Sequence, residues 1–183
     1  LDPYLVENKK NVKVIASDNK EGPLQKAKEN IKKYNLEDKI EVMLADGLEK
    51  LDTKTDTIIL AGMGYLTIKE IVEKGDLSHI ETMIVSTNDD FDDIKAWIKK
   101  IGFAIQQEEI IEDHNKFYII IKAIKGRKKS IDIKKRNKDY QKYLEYTIIK
   151  KREILSKLPK RKLKTRFQIY KQLKKLEKEL KSL

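Results

Sequence analysis

Three short stretches of this 183-residue chain place a polar or glycine-rich signal directly after an apolar, strand-like run. In "VIASDN", Asp18 follows a β-branched segment. A carboxylate at the carboxyl end of a parallel strand can accept both hydroxyls of a ribose, as in nucleoside-cofactor sites. Taken alone, a solvated loop or helix-capping aspartate is the plainer reading. In "MLADGLEKL", Asp46 can accept from an adenine amino group, Gly47 lets the backbone approach the ring edge, and Leu48 can pack on the ring face. Asp-Gly is also a common turn in its own right. Asp46 lies one helix and one strand beyond Asp18, and this interval favours the nucleoside reading. In "IILAGMGYL", four apolar residues run into Gly62-Met63-Gly64. As a phosphate cradle this turn lacks the G-x-x-x-x-G-K-[ST] and G-x-G-x-x-G patterns, and it holds no lysine. A tight strand-to-helix turn that only glycine fits remains the structural alternative.

The elements that must position these residues alternate. "NVKVIAS" (11–17), "KIEVMLA" (39–45), "TDTIILA" (55–61) and "IETMIVS" (80–86) read as strands. "GPLQKAKENIKKYNL" (22–36), "LTIKEIVEKG" (66–75) and "DDFDDIKAWIKKIG" (89–102) read as helices, the last with acids at its start and lysines at its end, as the helix dipole favours. "FAIQQEEIIED" and "KFYIIIKAI" are two consecutive strands with a turn near His114-Asn115. Alternating strands and helices predict an α/β fold with a parallel sheet covered on both faces. The closing hairpin matches the Rossmann-like methyltransferase sheet, whose final strand inserts antiparallel. Residues 1–10 are expected to be the first helix.

Beyond residue 134 the periodicity becomes that of long helices. Tyr140, Leu144, Ile148, Leu155 and Leu158 form one stripe, and Pro159 interrupts it. Leu163, Phe167, Tyr170, Leu173, Leu176, Leu180 and Leu183 form a second, with heptad-like steps. An antiparallel helical hairpin is expected over 134–183, joined by a basic linker at 126–133 to a domain over 1–125.

Charge follows the same division. Residues 1–125 carry 19 lysines against 24 acidic residues, net −5, whereas residues 126–183 carry 22 Lys+Arg against 6 acidic residues, net +16, and hold every arginine. A basic tail beside an acidic body points to a polyanionic partner. With no cysteine, disulfides and thiolate metal sites are excluded. His79 and His114 lack ligand-like spacing, so no metal is expected. No apolar run approaches the roughly 20 residues that span a bilayer, and the first residues are not signal-like. A cytoplasmic protein with no membrane partner is expected.

The run "VIASDNKEGPLQKAKENIKKYNLEDKIEVMLADGLEKL" followed by "DTIILAGMG" resembles the bacterial tRNA adenine-22 N1-methyltransferase family, TrmK, over residues 1 to about 124. Its most specific pieces are "EGPLQKAKENI", "ADGLE" and "AGMG" in that order, with an Asn-containing loop after the next strand. The resemblance implies S-adenosylmethionine as methyl donor and tRNA as partner. It implies that Asp18, with Asn19 beside it, holds the donor's ribose and that Asp46, Gly47 and Leu48 hold its adenine. Ala61, Gly62, Met63 and Gly64 would line the gap between the donor methyl and the target base, and Asn88 would hydrogen-bond that base. The opening glycines would then cradle no phosphate. The family's first strand and its loop, with the motif D-I-G-[ST]-D-H-A-Y-L, are expected before Leu1, which matches the motif's last residue, and are missing from this sequence. The family's second glycine is Tyr65 here, and its Gln-Pro-Asn is Ser86-Thr87-Asn88.

The expected activity is methyl transfer to N1 of adenine 22 of tRNA by a monomer. A methyltransferase of another RNA, and a non-catalytic RNA-binding protein on an inactive methyltransferase scaffold, are the alternatives. A hairpin that binds RNA should gather its lysines and arginines on one side, whereas one that binds protein should expose an apolar strip.

Overall fold

A computed structural model describes residues 12–51, 54–126 and 138–183. The helix expected over 1–10 and most of the linker expected over 126–133 lie outside the described residues. Two compact units partition the chain, the first holding 1–56 and 66–80, the second 57–65 and 81–183.

In the first unit, β1 (Val14–Asp18) pairs in parallel with β2 (Ile40–Leu44), with Val14 opposite Ile40 and Asp18 opposite Leu44. Helix α1 (Glu21–Lys33) crosses between them, as a parallel pair requires. Leu24 and Ile31, seven residues apart, share the buried face of α1. Ile31, Leu36 and Ile40 form a small core, against which Val14, Ala16 and Val42 pack. Helix α2 (Tyr65–Lys74) buries Ile68 and Val72 one turn apart and is followed by Gly75.

In the second unit, β3 (Thr57–Leu60), β4 (Thr82–Thr87), β5 (Phe103–Asp113) and β6 (Lys116–Lys125) form a sheet in the order β3-β4-β6-β5. β3 is parallel to β4, and β6 enters antiparallel between β4 and β5, as the closing hairpin led us to expect. The β5–β6 turn uses His114 (φ 47°) and Asn115 (φ 61°), two consecutive left-handed residues that suit a tight hairpin. Alternate residues of β4 and β6, including Met83, Val85, Ile119 and Ile121, are fully buried. Helix α3 (Phe91–Lys100) buries Phe91, Ile94, Trp97 and Ile98 along one face. It starts two residues later than its acidic run suggests, because Asp90, the residue before Phe91, adopts a left-handed conformation that the helix cannot include.

The tail forms the expected antiparallel hairpin, α4 (Lys138–Lys157) and α5 (Leu163–Leu180). Arg166 at the start of α5 donates to the carbonyls of Leu155 and Leu158, at 2.8 and 2.7 Å, closing the end of α4. At the other end Tyr140 donates to Glu179 at 2.5 Å, and Arg152 bridges to Glu177 at 2.7 Å midway. Tyr140, Leu144 and Ile148 are buried, and Tyr143 stacks on Phe91 with ring centroids 4.8 Å apart while meeting Phe117 edge-on. Of the tail tyrosines, Tyr140 and Tyr143 are packed, whereas Tyr146 and Tyr170 are 44 % and 52 % exposed.

The stripe read along α5 also splits. Leu173 is buried and Leu176 and Leu180 half-buried, yet Leu163 and Phe167 are 74 % and 70 % exposed. The reason is spacing: successive three-residue steps at about 100° per residue turn the stripe back by roughly 60° each, away from its first members. Among the described residues, no helix is long and apolar enough to cross a membrane.

Candidate functional site

The first unit brings together the two aspartates singled out in its sequence. Parallel pairing sets the carboxyl ends of β1 and β2 side by side, and the Ala45 N–H donates to the Asp18 carbonyl at 3.1 Å. Asp18 is the last residue of its strand, half-buried, and its Oδ1 accepts the Lys20 N–H at 2.9 Å. That contact fixes the side chain in a local turn and leaves Oδ2 without a partner among the described residues. Asn19 next to it is exposed.

Asp46 is exposed, and its carboxylate makes no hydrogen bond or ion pair among the described residues. Its negative charge helps hold the Lys74 ammonium above its ordinary pKa, behind the larger contribution of Glu70. Gly47 sits at φ +57°, where a Cβ would come 3.0 Å from the Ile71 side chain, so both conformation and space demand glycine. The Leu48 side chain lies against Gly75, where an added Cβ would approach it to 2.8 Å. Lys50 Nζ donates to the Leu44 carbonyl at 3.0 Å and tethers the far side of this loop.

The second unit holds the glycine turn. β3 ends at Leu60, opposite Val85, so Ala61 and the end of β4 emerge together. Gly62 has φ +79°, is exposed, and would have nothing within 4 Å of an added Cβ. Met63 and Gly64 are half-buried. At Gly64 a Cβ would lie 2.7 Å from Asp89 Oδ2. Asn88 follows β4 and is exposed, with a side-chain amide that makes no hydrogen bond among the described residues. Tyr65 packs edge-on against Trp97 with centroids 6.1 Å apart, a packing role for the residue that stands where the family carries glycine.

Two residues near this turn were missed. Thr87, 1 % exposed, donates its hydroxyl to Asp89 Oδ1 at 2.6 Å, and the same oxygen accepts the Tyr65 N–H at 2.8 Å. Asp89 reads in sequence as one more acid at a helix start. Only the Ser-Thr-Asn in place of Gln-Pro-Asn hinted that this strand end differs.

On the tail, Lys164, Lys171, Lys174, Lys175 and Lys178 are exposed. At about 100° per residue they fall within one arc of roughly 100° on the side of α5 opposite Leu173 and Leu176. Phe167 lies inside this arc, and Lys174 Nζ sits 5.5 Å from the Tyr170 ring centroid. The lysines of α5 therefore lie on one side of that helix. The exposed apolar residues expected of a protein-binding hairpin are present as well, interleaved with them.

Similarity to known proteins agrees with this arrangement. A family model described as a methyltransferase domain matches residues 1–121. The tRNA (adenine(22)-N(1))-methyltransferase of Bacillus subtilis strain 168 is 34 % identical over 126 residues, covering 67 % of this chain. The chain spans about half, 53 %, of that relative's length. A Streptococcus pneumoniae protein, a candidate tRNA (m1A22) methyltransferase, superposes with a TM-score of 0.84 at 28 % identity, covering 97 % of this chain and 86 % of its own. M. capricolum TrmK, solved with S-adenosyl-homocysteine, superposes with a TM-score of 0.82 at 25 % identity, covering 97 % and 84 %. The kinship expected from "EGPLQKAKENI", "ADGLE" and "AGMG" holds, and the chain belongs to the methyltransferase domain family on a Rossmann-like methyltransferase fold.

Proposed function

We propose that this chain transfers a methyl group from S-adenosylmethionine to N1 of adenine 22 in tRNA. The observation that carries the reading is the juxtaposition of the Asp18 and Asp46 strand ends, in a chain whose relatives carry that activity. The residues fit a nucleoside donor. Asp18 retains a free carboxylate oxygen for ribose hydroxyls, with Asn19 beside it. Asp46 offers an unpaired acceptor for an adenine amino group, and Gly47, its Cβ side closed by Ile71, supplies the left-handed turn that presents the loop backbone to a ring edge. Leu48, half-buried, supplies an apolar wall.

Bound S-adenosylmethionine supplies an electrophilic methyl group on a cationic sulfonium. N1 of neutral adenine already carries a lone pair, so no strong base is needed to prepare it. The chain's contribution is orientation. Ala61, Gly62, Met63 and Gly64 form the turn assigned to the target base, with Gly62 its open position, and Asn88 offers an amide to hydrogen-bond it. Extruding a base from folded tRNA costs a few kcal/mol, which phosphate contacts made by the basic hairpin offset. The domain limits this implies are a catalytic domain over 1–125, a basic linker over 126–133 and an RNA-binding hairpin over 134–183. The protein acts as a cytoplasmic monomer without a metal.

The test uses the full-length protein, S-adenosylmethionine and unmodified tRNA transcripts, with methylated nucleosides mapped by mass spectrometry. N1-methyladenosine at position 22, lost in Asp18→Ala and Asp46→Ala, is the expected result. Donor binding without any methylated tRNA nucleoside sinks the substrate assignment. Absence of donor binding leaves an RNA-binding protein on an inactive scaffold.

A further inference from the structure

From the contacts at the end of β4 we infer that Asp89 is a positioning residue for methyl transfer, acting through Tyr65 and Thr87 on the Gly62–Gly64 turn and Asn88. The inference rests on the proposed function. It adds a contact that the family's Gln-Pro-Asn cannot make, since proline has no hydroxyl to donate where Thr87 stands.

One carboxylate oxygen, Asp89 Oδ1, accepts two hydrogen bonds. The Thr87 hydroxyl donates from within the sheet at 2.6 Å, and the Tyr65 N–H donates from the first residue of α2 at 2.8 Å. Thr87 is the one buried polar residue recorded among the described residues, and its hydroxyl is satisfied by this contact. The two donors lie on either side of the residues assigned to the acceptor base: Tyr65 directly follows Gly64, and Thr87 directly precedes Asn88. The second oxygen, Oδ2, occupies the space that a side chain at Gly64 would fill, 2.7 Å from an added Cβ. Asp89 thus joins the glycine turn to the Asn88 loop across 24 residues of sequence, with Gly64 shaped to receive it. Charge-assisted hydrogen bonds of this kind hold geometry more tightly than neutral ones. Misplacement of a reacting group by about 1 Å can cost a factor on the order of 100 in rate.

Asp89→Asn keeps an oxygen that can accept both hydrogen bonds and removes the charge; Asp89→Ala removes the acceptor. The full-length protein is assayed with saturating S-adenosylmethionine and tRNA, and donor binding is measured separately. The expected result is that D89A lowers kcat about 10- to 100-fold, with donor Kd and the KM for tRNA unchanged within about twofold. D89N stays within about threefold of the parent, because the two-donor geometry survives. Thr87→Val, which keeps shape and loses one donor, falls a few-fold in kcat and carries the test should D89A fold poorly. Hydrogen exchange of the Tyr65 amide speeds in D89A and stays slow in D89N. An unchanged kcat in D89A, or a D89N as impaired as D89A, overturns the inference alone. A parent protein that transfers no methyl to tRNA overturns the proposed function and this inference together.

Discussion

The Ala45 N–H donates to the carbonyl of Asp18 at 3.1 Å, one hydrogen bond beyond the last paired residues of β1 and β2. It holds the Asp18 turn and the Asp46-Gly47 turn on one platform, although 28 residues separate the two aspartates in sequence. Each carboxylate contributes a charged acceptor to the proposed donor site, and a hydrogen bond to a charged group is worth about 1.5–3 kcal/mol. Asp18→Ala and Asp46→Ala are each expected to weaken S-adenosylhomocysteine binding roughly 10- to 100-fold by titration calorimetry, with unfolding midpoints little changed. Wild-type affinity in either variant removes that residue from the donor site.

The glycines divide by what surrounds them. At Gly47 both a left-handed backbone and the Ile71 side chain oppose a Cβ, so Gly47→Ala should cost about 1–3 kcal/mol in urea unfolding. At Gly62 only the backbone conformation opposes it, and about 1 kcal/mol is expected. The Gly62→Ala loss should instead appear in kcat, since its methyl enters the open side of the turn. Gly22, in the first turn of α1 with nothing near an added Cβ, is the control, and Gly22→Ala should be neutral or stabilising by up to about 0.5 kcal/mol.

The docked hairpin should be sensitive to alkali. Burial pushes the Tyr143 phenol up to about 12, and burial with the adjoining Glu179 carboxylate raises Tyr140 further still. A group whose folded pKa is raised adds stability that is complete below its unfolded pKa, near 10 for tyrosine. That stability is lost as pH climbs through the folded value. Hairpin stability should therefore hold to about pH 10 and fall between roughly pH 10 and 12. Near-ultraviolet dichroism across that range tests this, and Tyr143→Phe should shrink the alkaline loss. A loss that begins below pH 9 would point to other groups.

The lysine face of α5 predicts salt-dependent RNA binding. Each phosphate contact contributes about 0.7–0.9 to the slope of log K against log salt. Replacing Lys171, Lys174, Lys175 and Lys178 together by alanine should flatten that slope by roughly 3 and weaken tRNA binding while leaving donor affinity intact. Phe167→Ala, at a site 70 % exposed, should weaken tRNA binding by about 1–3 kcal/mol if the ring stacks on a base, with no loss of thermal stability. An unchanged salt slope in the quadruple variant assigns this face to another partner.

Much of the arrangement was legible in the chain because local patterns and global fold agree. Short apolar and β-branched runs marked β1 to β6, and the positions of Asp18, Asp46 and Gly62–Gly64 at strand ends followed from where those runs stop. Pro159 marked the hairpin turn. The tail tyrosines were harder, since a helical stripe shows that a face is buried without showing its partner. Tyr143 found Phe91 and Phe117, which lie 52 and 26 residues earlier. The first half of the α5 stripe failed because heptad-like steps were counted without their angular drift.

By itself the sequence determined the order of strands and helices, the acidic body and basic tail, and the residues that stand where a parallel sheet presents its ligands. These depend on periodicity, charge and turn chemistry, all of which act over a few residues. The tertiary structure alone decided that Asp89 turns toward Tyr65 and Thr87, that Arg166 closes the end of α4, and that Leu48 lies on Gly75. Each of these is a side chain satisfying a distant backbone or filling a distant gap. Such a choice is made by the packing of elements, and no local pattern encodes it.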